Sequence, residues 1–315
     1  MIKRQQAFTG EGMLLKGNLH CHTTHSDGHM TPAEVMEFLA GKGYDFLAIT
    51  DHRRYNFENE APEYGITIIP GMEFDCEFER GYGMRCFHTV CIGPSREDGN
   101  GFEQGVRLPS GRYKDQLEYQ EFLDEAHAKN NLTIYCHPEW SSTPARYFEK
   151  QKGNFAMEIY NTACDYECDM DKDAAYWDEL LAQGIKIFGV ASDDAHWQGT
   201  LGGGWVMVKA ENNVNSILDS LKCGKFYSSC GPEILDFYID GEKAYIDCSK
   251  AKRIRLHSAN HPTLYIDADG DGMTHAEFNL KWWAGPYQYV RASVIDADGK
   301  KAWTNPIYLC EEGEE

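Results

Sequence analysis

The sequence predicts an α/β protein: a barrel-like unit of mainly parallel strands over residues 1–225, then a small antiparallel β-sandwich over residues 226–315. Three observations predict it. Short β-branched and aliphatic runs recur up to about Ala191, and several are followed by an amphipathic stretch, the pattern of a βα arrangement. After Gly224 the runs become short and alternating, with Gly and Asp turns between them and hardly any helical period. The chain has 315 residues, and at about 150 residues per domain that length suggests about two domains.

Within the first unit, strands are expected at residues 15–21, 46–50, 67–70, 85–92, 133–136, 155–160 and 186–190, where apolar and β-branched side chains gather. Helical periodicity marks residues 32–42, 115–129, 174–183 and 214–222. The first helix has a clear start, with Thr31 as N-cap, Pro32 at N1 and Glu34 at N3. Seven strands in one compact unit fit a barrel better than a hairpin meander. In the second unit, strands are expected at residues 235–239, 254–257, 263–266, 287–294 and 302–309. Asp240-Gly241, Asp269-Gly270-Asp271-Gly272 and Asp298-Gly299 supply the turns. The boundary falls near residues 225–232, and the acidic tail 311–315 is expected to be solvated.

Composition narrows the function classes. Lys and Arg number 30 against 50 Asp and Glu, a net charge of −20 spread along the chain. A face that grips long nucleic acid needs clustered Lys and Arg, which this sequence lacks. No apolar run approaches the roughly 18 residues of a membrane span. With Met1 as the natural start, the first residues lack the apolar stretch of a signal peptide, so a cytoplasmic protein is expected. Eleven cysteines, an odd number without any Cys-x-x-Cys pair, argue against a disulfide framework and for buried thiols in a reducing compartment.

The chemistry concentrates in the histidines, nine of twelve lying before residue 200, most of them at strand ends beside carboxylates. His20-Cys21-His22 on a strand places both imidazoles on one side, half of a metal site, and Asp27 returns on the next turn with a hard oxygen. The competing reading is two core histidines and a solvated aspartate. Ile49-Thr50-Asp51-His52 and Pro70-Gly71-Met72-Glu73 are apolar strands delivering polar groups at their carboxyl ends, the layout of barrel active sites. His88 lies mid-strand, as suited to the core as to a ligand role. His137 ends its strand before Pro138, and Asp193-Asp194-Ala195-His196 ends another. Asp193 and Asp194 compete as ligand; the Asp-x-His spacing favours Asp194. Convergence of so many donors on one rim implies a multi-metal centre, and a mixed imidazole and carboxylate set suits Zn, Mn or Fe.

In this order, His20-x-His22 with Ser26-Asp27-Gly28, Ile49-Thr50-Asp51-His52, Gly71-Met72-Glu73, Cys136-His137-Pro138 and Asp194-Ala195-His196 resemble the PHP (polymerase and histidinol phosphatase) metallohydrolases over residues 14–225. The end of the second unit, Ala302-Trp303-Thr304-Asn305-Pro306, resembles the subgroup of CehA/McbA-type hydrolases. The resemblance implies a distorted (β/α)7 barrel holding two or three divalent transition metals. His20, His22, Glu73 and Asp194 would hold one; Glu73 would bridge to a second with His137 and His88; Asp27, His52 and His196 would hold a third.

Such a centre predicts hydrolysis of a small phosphate mono- or diester, because paired cations acidify a shared water into the attacking hydroxide and neutralise the phosphoryl oxygens. His25 or Asp51 would protonate the leaving group, with orientation of a metal-binding histidine as the other reading of Asp51. Arg53, Arg54 and Arg146 are the candidate phosphate clamps. Trp140 and Trp197, each close after a ligand motif, could wall the pocket. An amide, carbamate or carboxylic ester hydrolase is the nearest rival, and a metal-stabilised binding module the next. Residues 267–272 open like an EF-hand loop, but Phe278 stands where the bidentate Glu belongs, so a turn is expected. Gly202-Gly203-Gly204 reads as flexible backbone that lets a ligand approach. Cys164 and Cys168 read as inert in an acidic loop, and His257, His261 and His275 as structural.

Overall fold

The structure, a computed structural model, describes residues 5–8, 11–78, 86–94, 101–258, 263–280 and 289–309. His261 and the tail 311–315 lie outside the described residues. The chain opens with β1 (Gln5–Gln6), β2 (Met13–Asn18), α1 (Pro32–Gly41), β3 (Phe46–Ala48), β4 (Thr67–Ile69), β5 (Gly71–Phe78) and β6 (Phe87–Ile92). Next come β7 (Gly111–Tyr113), α2 (Gln116–Ala128), β8 (Leu132–Tyr135), β9 (Asn154–Asn161), α3 (Thr162–Cys168), α4 (Asp173–Ala182) and β10 (Phe188–Ser192). After β11 (Trp205–Ala210), α5 (Val214–Lys222) and β12 (Phe226–Ser229), the described elements are strands alone. They are β13 (Ile234–Asp240), β14 (Lys243–Ala251), β15 (Arg253–His257), β16 (Leu264–Asp267), β17 (Met273–Asn279), β18 (Tyr289–Ile295), β19 (Lys301–Thr304) and β20 (Ile307–Tyr308).

Local chemistry explains the helix starts. Thr31 and Glu34 form a reciprocal capping box, the Glu34 amide donating to Thr31 Oγ1 at 3.3 Å and the Thr31 amide to Glu34 Oε2 at 2.8 Å. Val35, Met36 and Leu39 of α1 are buried on one side, each contributing about 1.5–3 kcal/mol. α3 stands where an acidic loop was expected: Asn161 Oδ1 accepts from the Cys164 amide at 3.0 Å and caps it. That helix is too short to write a period into the sequence. β14 and β17 were also unforeseen, and they pair with each other.

The pairing is mixed. β2, β3 and β4 run parallel, as do β8, β9 and β10. β6 runs antiparallel to both β5 and β8, so it departs from the parallel order; the eight residues between β5 and β6 are too few for a helical crossover. The six-stranded sheet has the order β10-β9-β8-β6-β5-β7, and β16-β15-β18-β19-β12-β11-β2-β3-β4 run through a ten-stranded one, with β20 on β18. These hydrogen bonds do not close into one barrel. The two sheets nevertheless share a core, in which Leu15, Phe46 and Ile69 meet Val90, Ile134 and Val190. Isolated parallel bridges, Cys21 with Ala195 and His52 with Glu73, also join them.

β12 lies between β11 and β19, so the large sheet continues across residue 225. A four-stranded sheet, β1-β13-β14-β17, packs a second core in which Phe8 from the start of the chain joins Phe237, Ile246 and Ile254. The Asp-Gly turns are where expected: Gly241, Gly270 and Gly299 all have positive φ. Asp271 of the EF-hand-like segment pairs with Lys250 at 2.6 Å. No helix among the described residues is long and apolar enough to cross a membrane.

Candidate metal centre

The strand ends put nine donor side chains on one rim. β2 runs on into His20 and His22, β3 into His52, β8 into His137 and β10 into Asp194 and His196, while Glu73 sits within β5. His88 joins them from the second residue of β6. Its place near the start of the strand follows from the antiparallel run of β6, which brings its amino end to the rim where the parallel strands bring their carboxyl ends.

Among the described residues, four overlapping groups have donor atoms within 4.8 Å of one another; three consist of predicted donors, namely His20, His22, Glu73 and Asp194; Glu73, His88 and His137; and His22, Asp27, His52 and His196, and the fourth is His20, Cys136 and Glu158. In the first, His20 Nε2 lies 3.2 Å from His22 Nε2, 3.4 Å from Glu73 Oε1 and 3.2 Å from Asp194 Oδ1. His22 Nε2 lies 3.2 Å from Glu73 Oε2 and 3.1 Å from Asp194 Oδ1. In the second, Glu73 Oε1 is 2.8 Å from His88 Nδ1 and 3.3 Å from His137 Nε2. In the third, Asp27 reaches His52 Nε2 at 3.4 Å and His196 Nε2 at 3.5 Å. The first group is sealed from solvent, whereas the Asp27 side chain is 53% exposed. The third group therefore faces the mouth.

Electrostatics hold the groups together in the absence of cations. Burial disfavours the charged form of His52, but the Glu73 charge and contacts with Asp27 and Asp75 overcome it and push the ring up to about 11. His88 rises to about 10 against its own burial, through Glu73 and Cys86. His20, desolvated but facing Asp194, Glu73 and Glu158, is also raised. Burial works against Glu73 and Asp194 as well, yet the surrounding imidazoles hold both carboxyls well below the usual range. Donor chemistry fits a cation. Glu73 Oε2 and His52 Nδ1 are buried 3.0 Å apart, and neither makes a hydrogen bond of usable geometry. The Glu73 oxygen is a buried acceptor that a cation would satisfy.

Asp194 and its neighbour have different tasks. Asp194 has a left-handed backbone, φ 52°, which throws consecutive side chains to different sides. Its carboxylate enters the first group. Asp193 turns away and accepts from Thr162 Oγ1 at 2.7 Å and from the amides of Gly202, Gly203 and Gly204 at 2.6, 2.9 and 2.8 Å, with Asn18 as a further donor. The glycine run is thus a fixed cradle for a carboxylate rather than flexible backbone. A Cβ on Gly204 would stand 2.6 Å from the Ser192 carbonyl.

The remaining candidates spread out. Asp51 is fully buried, its oxygens accepting from the Thr23 amide at 2.8 Å, Thr23 Oγ1 at 2.8 Å and Ser26 Oγ at 2.7 Å. It clamps the turn that carries Asp27 and reaches no open space. His25 stands apart from the three groups, 3.4 Å from Glu60. Arg53 holds its Nε 3.3 Å from Asp75 beside His52. Arg54 bridges to Arg107 through the backbone, and Arg146 lies over the Tyr147 ring. Trp140 packs against His137 and His88 with centroids 5.0 and 5.7 Å away. Trp197 donates to Glu167 at 2.9 Å.

Several side chains that sequence reasoning did not select support the site. Asp75 lies two residues beyond Glu73 on the same strand face and contacts His52 at 3.0 Å; that alternation was the available signal. Ser141 meets His137 Nδ1 at 3.1 Å. Glu158 accepts from His20 Nδ1 at 2.7 Å. His275, read as structural, has Asp247 opposite it across β14 and β17 at 2.7 Å; the contact comes from register, which spacing along the chain does not show.

The PHP domain family matches residues 18–189, more than half of the 315-residue chain. The chain belongs to the PHP domain family. A 5'-3' exoribonuclease of Haemophilus influenzae is 37% identical over 71 residues, 21% of this chain and 26% of that protein. DNA polymerase/3'-5' exonuclease PolX of Bacillus subtilis is 49% identical over 41 residues, 13% of this chain and 7% of that protein. The chain thus spans about a quarter or less of the length of these relatives. Among solved structures, a two-domain protein of Bacteroides vulgatus containing a predicted PHP-like metal-dependent phosphoesterase is similar with a TM-score of 0.48 and 14% identity, over 96% of this chain and 99% of that one.

Proposed function

We propose that the chain is a metal-dependent phosphoesterase that hydrolyses a small phosphate mono- or diester at a centre of two or three divalent cations. One observation carries this: the His20 and His22 Nε2 atoms stand 3.1–3.4 Å from each other and from carboxylate oxygens of Glu73 and Asp194. A tetrahedral cation with bonds of about 2.0–2.1 Å keeps its ligands about 3.3 Å apart. The mixed donors suit Zn, Mn or Fe. When bound, such cations neutralise phosphoryl oxygens and acidify an attacking water. Glu73 would serve two groups with one carboxylate, and Asp27, His52 and His196 would hold a third cation at the mouth.

The chain's own residues do the rest. Asp51 fixes the turn bearing Asp27. Arg53 beside His52 would clamp a phosphoryl oxygen, with Arg54 and Arg146 further out, and His25 would pass a proton to the leaving group from the rim. Trp140 walls the side of His88 and His137. Both relatives are named for nucleases, which supports phosphoester chemistry; a net charge of −20 favours small substrates over long nucleic acid. The same proposal takes residues 1–225 as a distorted (β/α)7 barrel formed by the two sheets around their shared core, residues 226–315 as the β-sandwich, and the cytoplasm as the location, in keeping with the ten free cysteines among the described residues.

A second reading, an amide, carbamate or carboxylic ester hydrolase of the CehA/McbA type, is favoured by a thin cationic clamp: Arg53 is already paired with Asp75 and Arg146 is stacked on Tyr147. A panel of sugar phosphates, nucleotides, aryl phosphodiesters and aryl carboxylic esters, run on protein loaded with Zn, Mn or Fe, separates the two. Metal-dependent turnover of a phosphoester is expected. Turnover of the carboxylic esters alone would replace the proposal with the second reading.

A further inference from the structure

We propose that Glu158 is a positioning residue that locks the first and second cation groups to one another, a role resting on the metal-dependent reading above. Glu158 is buried in β9, and four donors surround its carboxylate. His20 Nδ1 at 2.7 Å and Ser192 Oγ at 2.5 Å meet Oε1; the His137 amide at 2.9 Å and Asn161 Nδ2 at 3.0 Å meet Oε2. The Asn161 amide also donates to Asp194 Oδ2 at 3.2 Å. One carboxylate therefore holds the ring of a ligand in the first group and the main chain of a ligand in the second, and it reaches Asp194 through Asn161.

The chemistry explains why a carboxylate stands there. With Nδ1–H donating to Glu158, the lone pair of His20 is left on Nε2, the nitrogen that faces His22, Glu73 and Asp194. All four neighbours are donors, and only an acceptor with two oxygens serves them all. A glutamine of the same shape must turn its NH2 either toward His20 and Ser192 or toward the His137 and Asn161 donors. His20 and His137 stack with ring centroids 6.0 Å apart, so a shift of either ligand is felt by both groups. Cys136 and His20 also form a possible cation group with Glu158, which would make Glu158 a ligand instead.

Zinc titration of metal-stripped wild type and Glu158→Gln, with long-range proton–nitrogen correlation of 15N-histidine in the zinc-loaded proteins, distinguishes these roles. The positioning role requires Glu158→Gln to reach the wild-type stoichiometry at saturating zinc, with affinity for at least one equivalent reduced about 10–100-fold and the His20 Nδ1–H signal lost or moved. Unchanged affinity with an unchanged His20 signal overturns the inference alone. Loss of a whole equivalent at saturation overturns it in favour of direct ligation. Wild type that takes up no zinc overturns both this inference and the functional reading beneath it. Should Glu158→Gln not fold, the wild-type spectrum still decides: His20 must carry its proton on Nδ1, and a proton on Nε2 refutes the role.

Discussion

Loading cations into the metal-stripped protein must expel protons, and the structure sets how many. At pH 8 an imidazole of ordinary value 6.5 is almost entirely neutral, but His52 is held at about 11 and His88 at about 10 by the carboxylates around them. Each pKa unit corresponds to about 1.4 kcal/mol. Deprotonation at pH 8 therefore costs ~4 kcal/mol at His52, three units below its value, and ~3 kcal/mol at His88, two units below. His20 and His196, also raised, add to the count. Filling the groups should release about two to four protons per chain, and apparent affinity should climb steeply between pH 6.5 and 10. The sign for stability is opposite. A raised imidazole stabilises the metal-stripped fold fully below its unfolded value of 6.5, and that contribution fades as pH rises through 10 and 11. Calorimetric titration with zinc at pH 8, in two buffers of different ionisation enthalpy, counts the protons. Release of fewer than one would refute the account of how Glu73 and Asp27 charge their neighbours.

Other expectations follow from individual contacts. Asp194→Asn should lower the bound metal and also lower the melting temperature of the stripped protein, since it uncharges a buried carboxylate paired with His20 and His22; elemental analysis and calorimetry measure the two effects. Asp193→Asn should destabilise the fold while leaving the bound metal nearly unchanged, because an amide NH2 turned toward Thr162 and the Gly202–Gly204 amides costs about 2–4 kcal/mol; denaturant melts and elemental analysis measure it. Arg53→Ala should raise KM for a phosphate monoester more than it lowers kcat, with little effect on a neutral ester. A fragment ending at residue 225 removes β12 and β19 from beside β11 and takes away Tyr227, whose ring packs tilted against Phe8 with centroids 5.5 Å apart. It should melt earlier than the whole chain and aggregate through the bared edge of β11.

Much of the site could be read from the chain because each ligand sits next to an apolar strand that positions it. His20-x-His22, His52, Glu73, His137 and Asp194-x-His196 all announce themselves as polar groups ending apolar runs. His88 was ambiguous for a physical reason: its strand runs backwards, and direction is set by pairing with β5 and β8, not by composition. The Asp-x-His spacing favoured Asp194 over Asp193, but the left-handed angle that parts them and the Gly202–Gly204 amides that hold Asp193 come only with the fold. Asp75, Glu158 and the Asp247–His275 pair depend on register and tertiary approach, so their partners lie 23, 138 and 28 positions away in sequence. The helices α1, α2, α4 and α5 were legible from caps and period. β14 and β17, with charged and polar residues on their outer faces, were not.

The claim that everything else depends on is that these imidazoles and carboxylates share cations. Elemental analysis of the purified chain after exposure to Zn, Mn or Fe, beside His22→Ala prepared identically, tests it most directly. Two or three equivalents in the wild type and a clear loss in His22→Ala are expected, since His22 Nε2 stands between Glu73 and Asp194. A wild type without bound metal, or a variant that keeps the full load, would contradict it.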